Sequence, residues 1–264
     1  MARYAALITA GGTLSPELAA LCGTGSKALA PLHGTPFIQH VIHALRTSGI
    51  VDVVGVVGCV AELQAAGVVA GVWADAGATA PENIRRGIVA LQNAGYLAGD
   101  EPLLLCATDA VFLRGDTVCM LCRVAEESPD ADIVFPVVRE SDYRTQFPGS
   151  PNVFTPLASA SVTGSSVQIV RPAAVVAALP YIERAFNARK SQWQMAKLLG
   201  AGFVCRFVTR TLTITDAAAK VAQITGLNIN APLFADARVA VDVDNVADYE
   251  YAHDYAAEEA FQKP

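Results

Sequence analysis

The run Val53-Val54-Gly55-Val56-Val57-Gly58 has no polar side chain to turn toward water. A strand of this composition is buried on both faces, as in a parallel sheet with helices packed above and below it. The chain around it alternates between strands and helices. Ala5 to Ala10 reads as a strand that ends in Gly11-Gly12. Thr35-Pro36 introduces a helix over Phe37 to Leu45, and Val68 to Trp73 forms a further short strand. Pro81 to Leu91 is a helix with Ile84, Ile88 and Leu91 on one face. Pro102 to Ala107 is a buried strand ending at Thr108-Asp109, residues 116–127 are helical, and Ala131 to Val138 is a strand. This βα alternation predicts one α/β domain with a mixed, mostly parallel sheet flanked by helices.

Length does not by itself separate one domain from two at 264 residues. The alternation breaks after Val138. Arg139 to Pro156 is rich in Pro, charge and aromatics, Val162 to Val170 resumes a strand, and Arg171-Pro172 opens a helical stretch that continues over Tyr181 to Leu199. Phe203 to Val208 is expected as a strand and Thr215 to Ile224 as a helix. Arg238 to Asp244 then leads into a last helix. The expected organisation is a single domain over 1–264 with a lid or acceptor-binding insertion at about 139–210.

Bulk composition removes several function classes. Hydrophobic residues make up 53% and charged residues 17%, yet Gly, Pro or charge interrupts every apolar run before the ~18 residues of a membrane span. The apolar stretch after Arg3 is too short for a signal-peptide core, so a cytoplasmic location is expected. Net charge is -6 and the basic residues form no stripe, which argues against nucleic acid while leaving room for a small anionic ligand. The six cysteines sit mostly in apolar stretches and read as reduced core residues. Cys119-x-x-Cys122 lacks the further ligands of a zinc site.

The candidate chemistry gathers at strand ends. Gly11-Gly12 lets a ligand approach the backbone amides, and Lys27 supplies a cation. Asp109 and the Asp242/Asp244 pair are placed at the carboxyl edge of a sheet, where open α/β folds bind ligands. Hard oxygen ligands of this kind suit Mg²⁺ beside phosphate groups, although each carboxylate alone also fits a strand-end or capping role. Arg184, Arg189, Lys190 and Lys197 make either a solvated basic face or a phosphate contact. Gly23-Thr24-Gly25-Ser26-Lys27-Ala28 fails the phosphate-loop ATPase pattern on both sides of its lysine, and the first strand has no three-glycine dinucleotide fingerprint.

In order, Ala10-Gly11-Gly12, Lys27-Ala28-Leu29-Ala30-Pro31-Leu32 with Gly34-x-Pro36, Glu82-Asn83, Thr108-Asp109, Thr163-Gly164 and Val241-Asp242-Val243-Asp244 span nearly the whole chain. The set resembles the nucleotidyltransferases with a glycosyltransferase-A-like, Rossmann-like fold, most of all the molybdenum-cofactor type. The resemblance implies transfer of a nucleoside monophosphate from an NTP to a small phosphorylated acceptor, with release of pyrophosphate. It implies that Ala10, Gly11, Gly12, Lys27 and Asn83 bind the nucleotide and that Lys27 and Asp109 are catalytic. It further implies that Asp109 and Asp244 hold Mg²⁺, with Asp242 either a partner or structural. Thr163, Gly164, Arg189 and Lys190 would bind the acceptor. Because an acceptor phosphate is already ionised at neutral pH, no dedicated base is required, and none of His33, His40, His43 and His253 is expected to be catalytic.

Three departures accompany the resemblance. The loop from Thr13 to Leu18 lacks the family's arginine, Asp109-Ala110-Val111 replaces an Asp-x-Pro, and Ser165-Ser166 stands where relatives often carry Gly-Asn. They leave two rival readings open: a glycosyltransferase using a nucleotide sugar, which would release a nucleoside diphosphate, and a non-catalytic nucleotide-binding protein. The identity of the NTP, the acceptor and the oligomeric state are not legible in the sequence.

Overall fold

The computed structural model describes residues 3–188 and 191–262. Strand β1 (Tyr4–Ala10) leads through the Gly11-Gly12 loop to α1 (Pro16–Cys22) and a short 3₁₀ turn at Lys27–Leu29, then to the small hairpin β2 (Pro31–Leu32) and β3 (Thr35–Pro36). Helix α2 (Phe37–Thr47), β4 (Val51–Gly58), α3 (Val60–Ala65), β5 (Val72–Asp75), α4 (Ala80–Asn93), β6 (Leu103–Ala107) and α5 (Gly115–Glu126) complete the alternating half. The second half contains β7 (Ile133–Val134), β8 (Val137–Arg139), α6 (Glu140–Gln146), β9 (Thr155–Pro156), β10 (Ser161–Gly164) and β11 (Val167–Val170). After these come α7 (Pro172–Ala188), α8 (Gln192–Leu199), α9 (Ala201–Val208), α10 (Ile214–Thr225), β12 (Ile229–Asn230) and α11 (Val246–Gln262).

The main sheet has seven strands among the described residues, in the order β12-β7-β11-β6-β1-β4-β5. β1 runs parallel to both β4 and β6, with Leu7 opposite Gly55 on one side and Leu105 on the other. β11 is the antiparallel strand, pairing with β6 and with β7. The result is the mixed, mostly parallel sheet expected from the sequence.

Both faces of the sheet are covered, as the valine run of β4 requires. Ala6, Ile8, Val54, Val56, Leu104 and Cys106 pack with α2 and α5, whereas Ala5, Leu7, Val53, Val57 and Leu103 pack with α4 and α7. Successive residues alternate between the two cores because strand side chains alternate in direction. Gly87 of α4 allows that helix to approach closely, since a Cβ there would lie 2.4 Å from Leu7 Cδ1. The chain leaves β1 toward β4 and β5, then returns to place β6 on the other side of β1. The carboxyl ends of β1 and β6 therefore flank a topological switch point, where the crevice of such folds opens.

Several local expectations are corrected. The loop after Gly12 contains α1, whose Ser15 side chain accepts from Leu18 N and whose end is closed by Gly23 in the left-handed region. The strand expected over Val68 to Trp73 starts only at Val72. Val68 belongs instead to the close of α3, where Gly67 has φ 76° and Val68 N donates to Leu63 O. Ala131 to Val138 is divided between two sheets at Pro136, which has no N–H for a ladder. Val162 to Val170 is likewise divided between two sheets, at Ser165. Phe203 to Val208 is helical, not a strand, because its apolar residues also fit a helical period with Phe203 and Phe207 on one side. The described part of the last helix lies where the sequence placed it. Asp242 and Asp244, however, follow a 3₁₀ turn at Ala237–Ala240 and do not end a strand.

Candidate active site

The glycine loop and the 3₁₀ turn are tied together before any ligand is considered. Lys27 N donates to Gly12 O at 3.1 Å and Leu14 N donates to Gly25 O at 3.0 Å, so the two ends of the α1 excursion pair across a short antiparallel bridge. Lys27 is thereby fixed beside the exposed glycine pair. Ala10 is buried, so only its backbone can serve a ligand.

Asp109 comes two residues beyond β6, on the neighbouring side of the switch point, and is 5% exposed. Val241 and Val243 turn into the core, which directs the intervening Asp242 and the following Asp244 toward Asp109. One carboxylate oxygen from each of Asp109, Asp242 and Asp244 lies within 4.8 Å of the others. Lys27 Nζ ion-pairs with both Asp109 and Asp244. The sequence left Asp242 between partner and structural residue; the fold makes it a full member of the cluster.

The electrostatics follow from this crowding. Burial works against the Lys27 ammonium, but the charges and hydrogen bonds of Asp109 and Asp244 outweigh it and raise its pKa. Burial, followed by the charges of Asp109 and Asp244, pushes the Asp242 carboxyl up to about 7 despite the opposing pull of Lys27. Three carboxylates facing one ammonium form a cluster that favours a further cation. An octahedral Mg²⁺ with ligands at about 2.1 Å needs oxygens about 3 Å apart when adjacent and about 4.2 Å apart when opposite, and one oxygen from each of the three carboxylates lies within 4.8 Å of the others.

Asn83 sits at the opening of α4, 7% exposed. Its Oδ1 accepts from Gly77 N at 2.6 Å, and a Cβ on Gly11 would lie 2.7 Å from its Nδ2. Asn83 therefore braces the β5–α4 loop and is packed against the glycine pair. Around it, Thr79 accepts from Glu82 N, Glu82 accepts from Ala78 N, and Arg86 holds Glu82 and the carbonyls of Asp75 and Ala76. From sequence, Glu82 enters only as part of the Glu82-Asn83 motif and Arg86 has no assigned role, although Thr79-x-x-Glu82 has the spacing of a capping box. Asp248, also missed, accepts from the backbone N–H groups of Asp244 and Asn245 and fixes the approach to α11.

Thr163 and Gly164 end β10, the central strand of the smaller sheet, and Asn152 Nδ2 donates to Thr163 Oγ1 at 3.5 Å. The following Ser166 donates to Val239 O and accepts from Ala107 N, at 2.8 and 2.9 Å. Gly164 is thus joined to the two segments that lead into Asp109 and Asp242. Arg189 and Lys190 lie outside the described residues, while Arg184 and Lys197 are exposed. The cysteines are free, and Cys119 and Cys122 lie in α5 as packed neighbours.

Residues 6–241 match the model of the MobA-like NTP transferase domain. The chain belongs to that family. Membership makes it a nucleotidyltransferase-type enzyme. A protein from Thermus thermophilus described as a hypothetical transferase is 25% identical, with a TM-score of 0.78 over 94% of this chain and 99% of its own. The fold also resembles CMP:2-keto-3-deoxy-manno-octonic acid synthetase complexed with CTP, at 14% identity and a TM-score of 0.59, over 98% of this chain and 100% of that one. For 4-diphosphocytidyl-2C-methyl-D-erythritol synthase the values are 16% identity and 0.57, over 97% and 100%. No curated protein sequence matches the chain. Among the described residues, no helix of this MobA-like transferase is long and apolar enough to cross a membrane.

Proposed function

We propose that the chain is a Mg²⁺-dependent, cytoplasmic nucleotidyltransferase that moves a nucleoside monophosphate from an NTP onto a small phosphorylated acceptor. An acceptor phosphate oxygen forms a bond to the α-phosphorus, the bond from that phosphorus to the bridging oxygen breaks, and pyrophosphate leaves with the bond's electron pair. The observation that carries this reading is the convergence of Lys27, Asp109, Asp242 and Asp244 beside the Gly11-Gly12 loop in a chain of the NTP transferase family.

Gly11 and Gly12 would take the phosphates against their backbone amides. Lys27 is poised beside that loop and would neutralise charge on the triphosphate, which requires its ammonium to turn from the carboxylates toward the nucleotide. Asp109 and Asp244 would hold the Mg²⁺, with Asp242 completing the acidic wall; the chemistry the ion supplies when bound is charge neutralisation on the phosphates. Asn83 would keep the β5–α4 loop in place over the base or ribose. Thr163 and Gly164, with Arg189 and Lys190, would face the acceptor. The work of this chain is then positioning and charge stabilisation, which suffices for phosphoryl-type transfer. Pyrophosphate release from an NTP, dependent on Mg²⁺, an acceptor and Asp109, is the test.

A further inference from the structure

A cavity of about 450 Å³ lies between one edge of the main sheet and helices α9 and α10. Ile133, Phe135 and Val137 form its floor, and Phe203 and Phe207, one helical turn apart, contribute to its roof. Thr155 and Gln168 supply its polar side chains, and no charged side chain lines it among the described residues. The cavity opens to solvent on its helical side, where Phe207 and Val221 are exposed. A space of this size with so few polar groups holds water poorly and suits an apolar ligand.

Its position relates it to the carboxylates. The nucleotide elements stand over β1, β4 and β5, whereas the cavity lies over β11, β7 and β12, with Asp109 following β6 between them. Gly164 lines the cavity, and a Cβ there would lie 2.7 Å from Phe135 Cζ, so the glycine is what lets that ring lie against β10. Through Ser166 the same loop is bonded to Ala107 and Val239. The segment that leaves the cavity wall at Gly164 is hydrogen-bonded through Ser166 to the segments that lead into Asp109 and Asp242.

We infer that this cavity receives the hydrocarbon portion of the acceptor, which is therefore an amphiphile with an anionic phosphate head and an apolar chain. The inference rests on the nucleotidyltransferase reading for the word acceptor, but the cavity's preference for an apolar chain is tested separately. The probes are ethyl, butyl, hexyl and octyl phosphate, titrated by calorimetry into the full chain with Mg²⁺ and an NTP analogue whose α–β bridge does not break. Affinity is expected to rise about threefold to fourfold per methylene. Ala218→Trp, which fills the cavity from α10, and Phe207→Asp, which charges its roof, should each reduce octyl phosphate to the affinity of ethyl phosphate. Both variants should bind the NTP analogue as wild type does, which shows that they are folded.

Equal affinity along the series, or a gain that both variants leave intact, would overturn the inference. So would sedimentation showing that the chain is a dimer that Ala218→Trp dissociates, with no gain along the series, because the cavity would then be covered by a second copy. If chain length matters but the NTP analogue does not bind, the nucleotidyltransferase reading fails and the apolar-chain site stands. If NTP turns over with a wholly polar acceptor and chain length has no effect, the reading stands and the inference fails.

Discussion

Lys27 and Asp244, 217 residues apart in the chain, form an ion pair, and the same ammonium also pairs with Asp109. The pairing joins the loop after β1 to the segment that leads into α11. It also places a positive charge where the carboxylates would otherwise face one another. The Lys27 side chain is 16% exposed and that of Asp109 7%, so the Lys27–Asp109 pair is shielded from solvent, whereas the Asp244 side chain at 65% is the accessible end of the cluster.

Replacing that cation should have opposite effects on two ligands. Lys27→Met leaves three acidic groups without their internal counter-charge and is expected to bind Mn²⁺ alone about tenfold more tightly than wild type. The same variant should bind NTP at least about tenfold more weakly, having lost a charge-assisted contact to phosphate. Mn²⁺ titration by electron paramagnetic resonance, with and without NTP, measures both. Unchanged Mn²⁺ affinity would detach Lys27 from the metal site.

The Asp242 carboxyl sets a pH dependence. Its folded pKa of about 7 lies above the unfolded value of about 4, so the folded state holds the extra proton between them. Its contribution to stability is complete below about pH 4 and is lost as pH rises through about 7. The burial-raised Asp248 acts in the same direction. Without divalent cations, the wild-type melting temperature should therefore fall between about pH 5 and about pH 8, and Asp242→Asn should lessen that fall. Parallel curves for the two proteins would contradict the assignment.

Asn83 can be separated into a brace and a ligand contact. Asn83→Ala removes the acceptor of the Gly77 N–H and should destabilise the protein by about 1–3 kcal/mol in chemical denaturation. Asn83→Asp keeps an acceptor oxygen while adding a negative charge beside Gly11, so it should retain more stability than Asn83→Ala yet weaken NTP binding several-fold. Equal stability loss in both variants would show that Gly77 does not depend on this side chain.

Much of this was legible because burial leaves a pattern in sequence. The valines of β4, the Ile84/Ile88/Leu91 face of α4 and the glycine pair after β1 each mark an element by composition alone, and the sheet follows from their alternation. The second half was harder to read. Pro136 and Ser165 divide apparently continuous strands between two sheets, and Phe203 to Val208 fits both strand and helix periods. Asp242 illustrates another limit, because its role depends on Asp109 and Asp244 arriving from distant parts of the chain. Asn83 was named from family resemblance, but its grip on Gly77 became visible only when the β5–α4 loop was folded. Glu82, present in the sequence as part of the Glu82-Asn83 motif, also carries the Thr79-x-x-Glu82 spacing that marks the start of α4.

Asp109 is the residue on which the proposed chemistry depends most. The direct measurement is pyrophosphate formed by wild type and by Asp109→Asn, with Mg²⁺, each common NTP and a panel of phosphorylated acceptors that includes alkyl phosphates. The account predicts pyrophosphate in equal amount to nucleotidylated acceptor, reduced at least about 100-fold in a folded Asp109→Asn variant. NTP bound to saturation with no pyrophosphate across the panel, or undiminished turnover by Asp109→Asn, would contradict it.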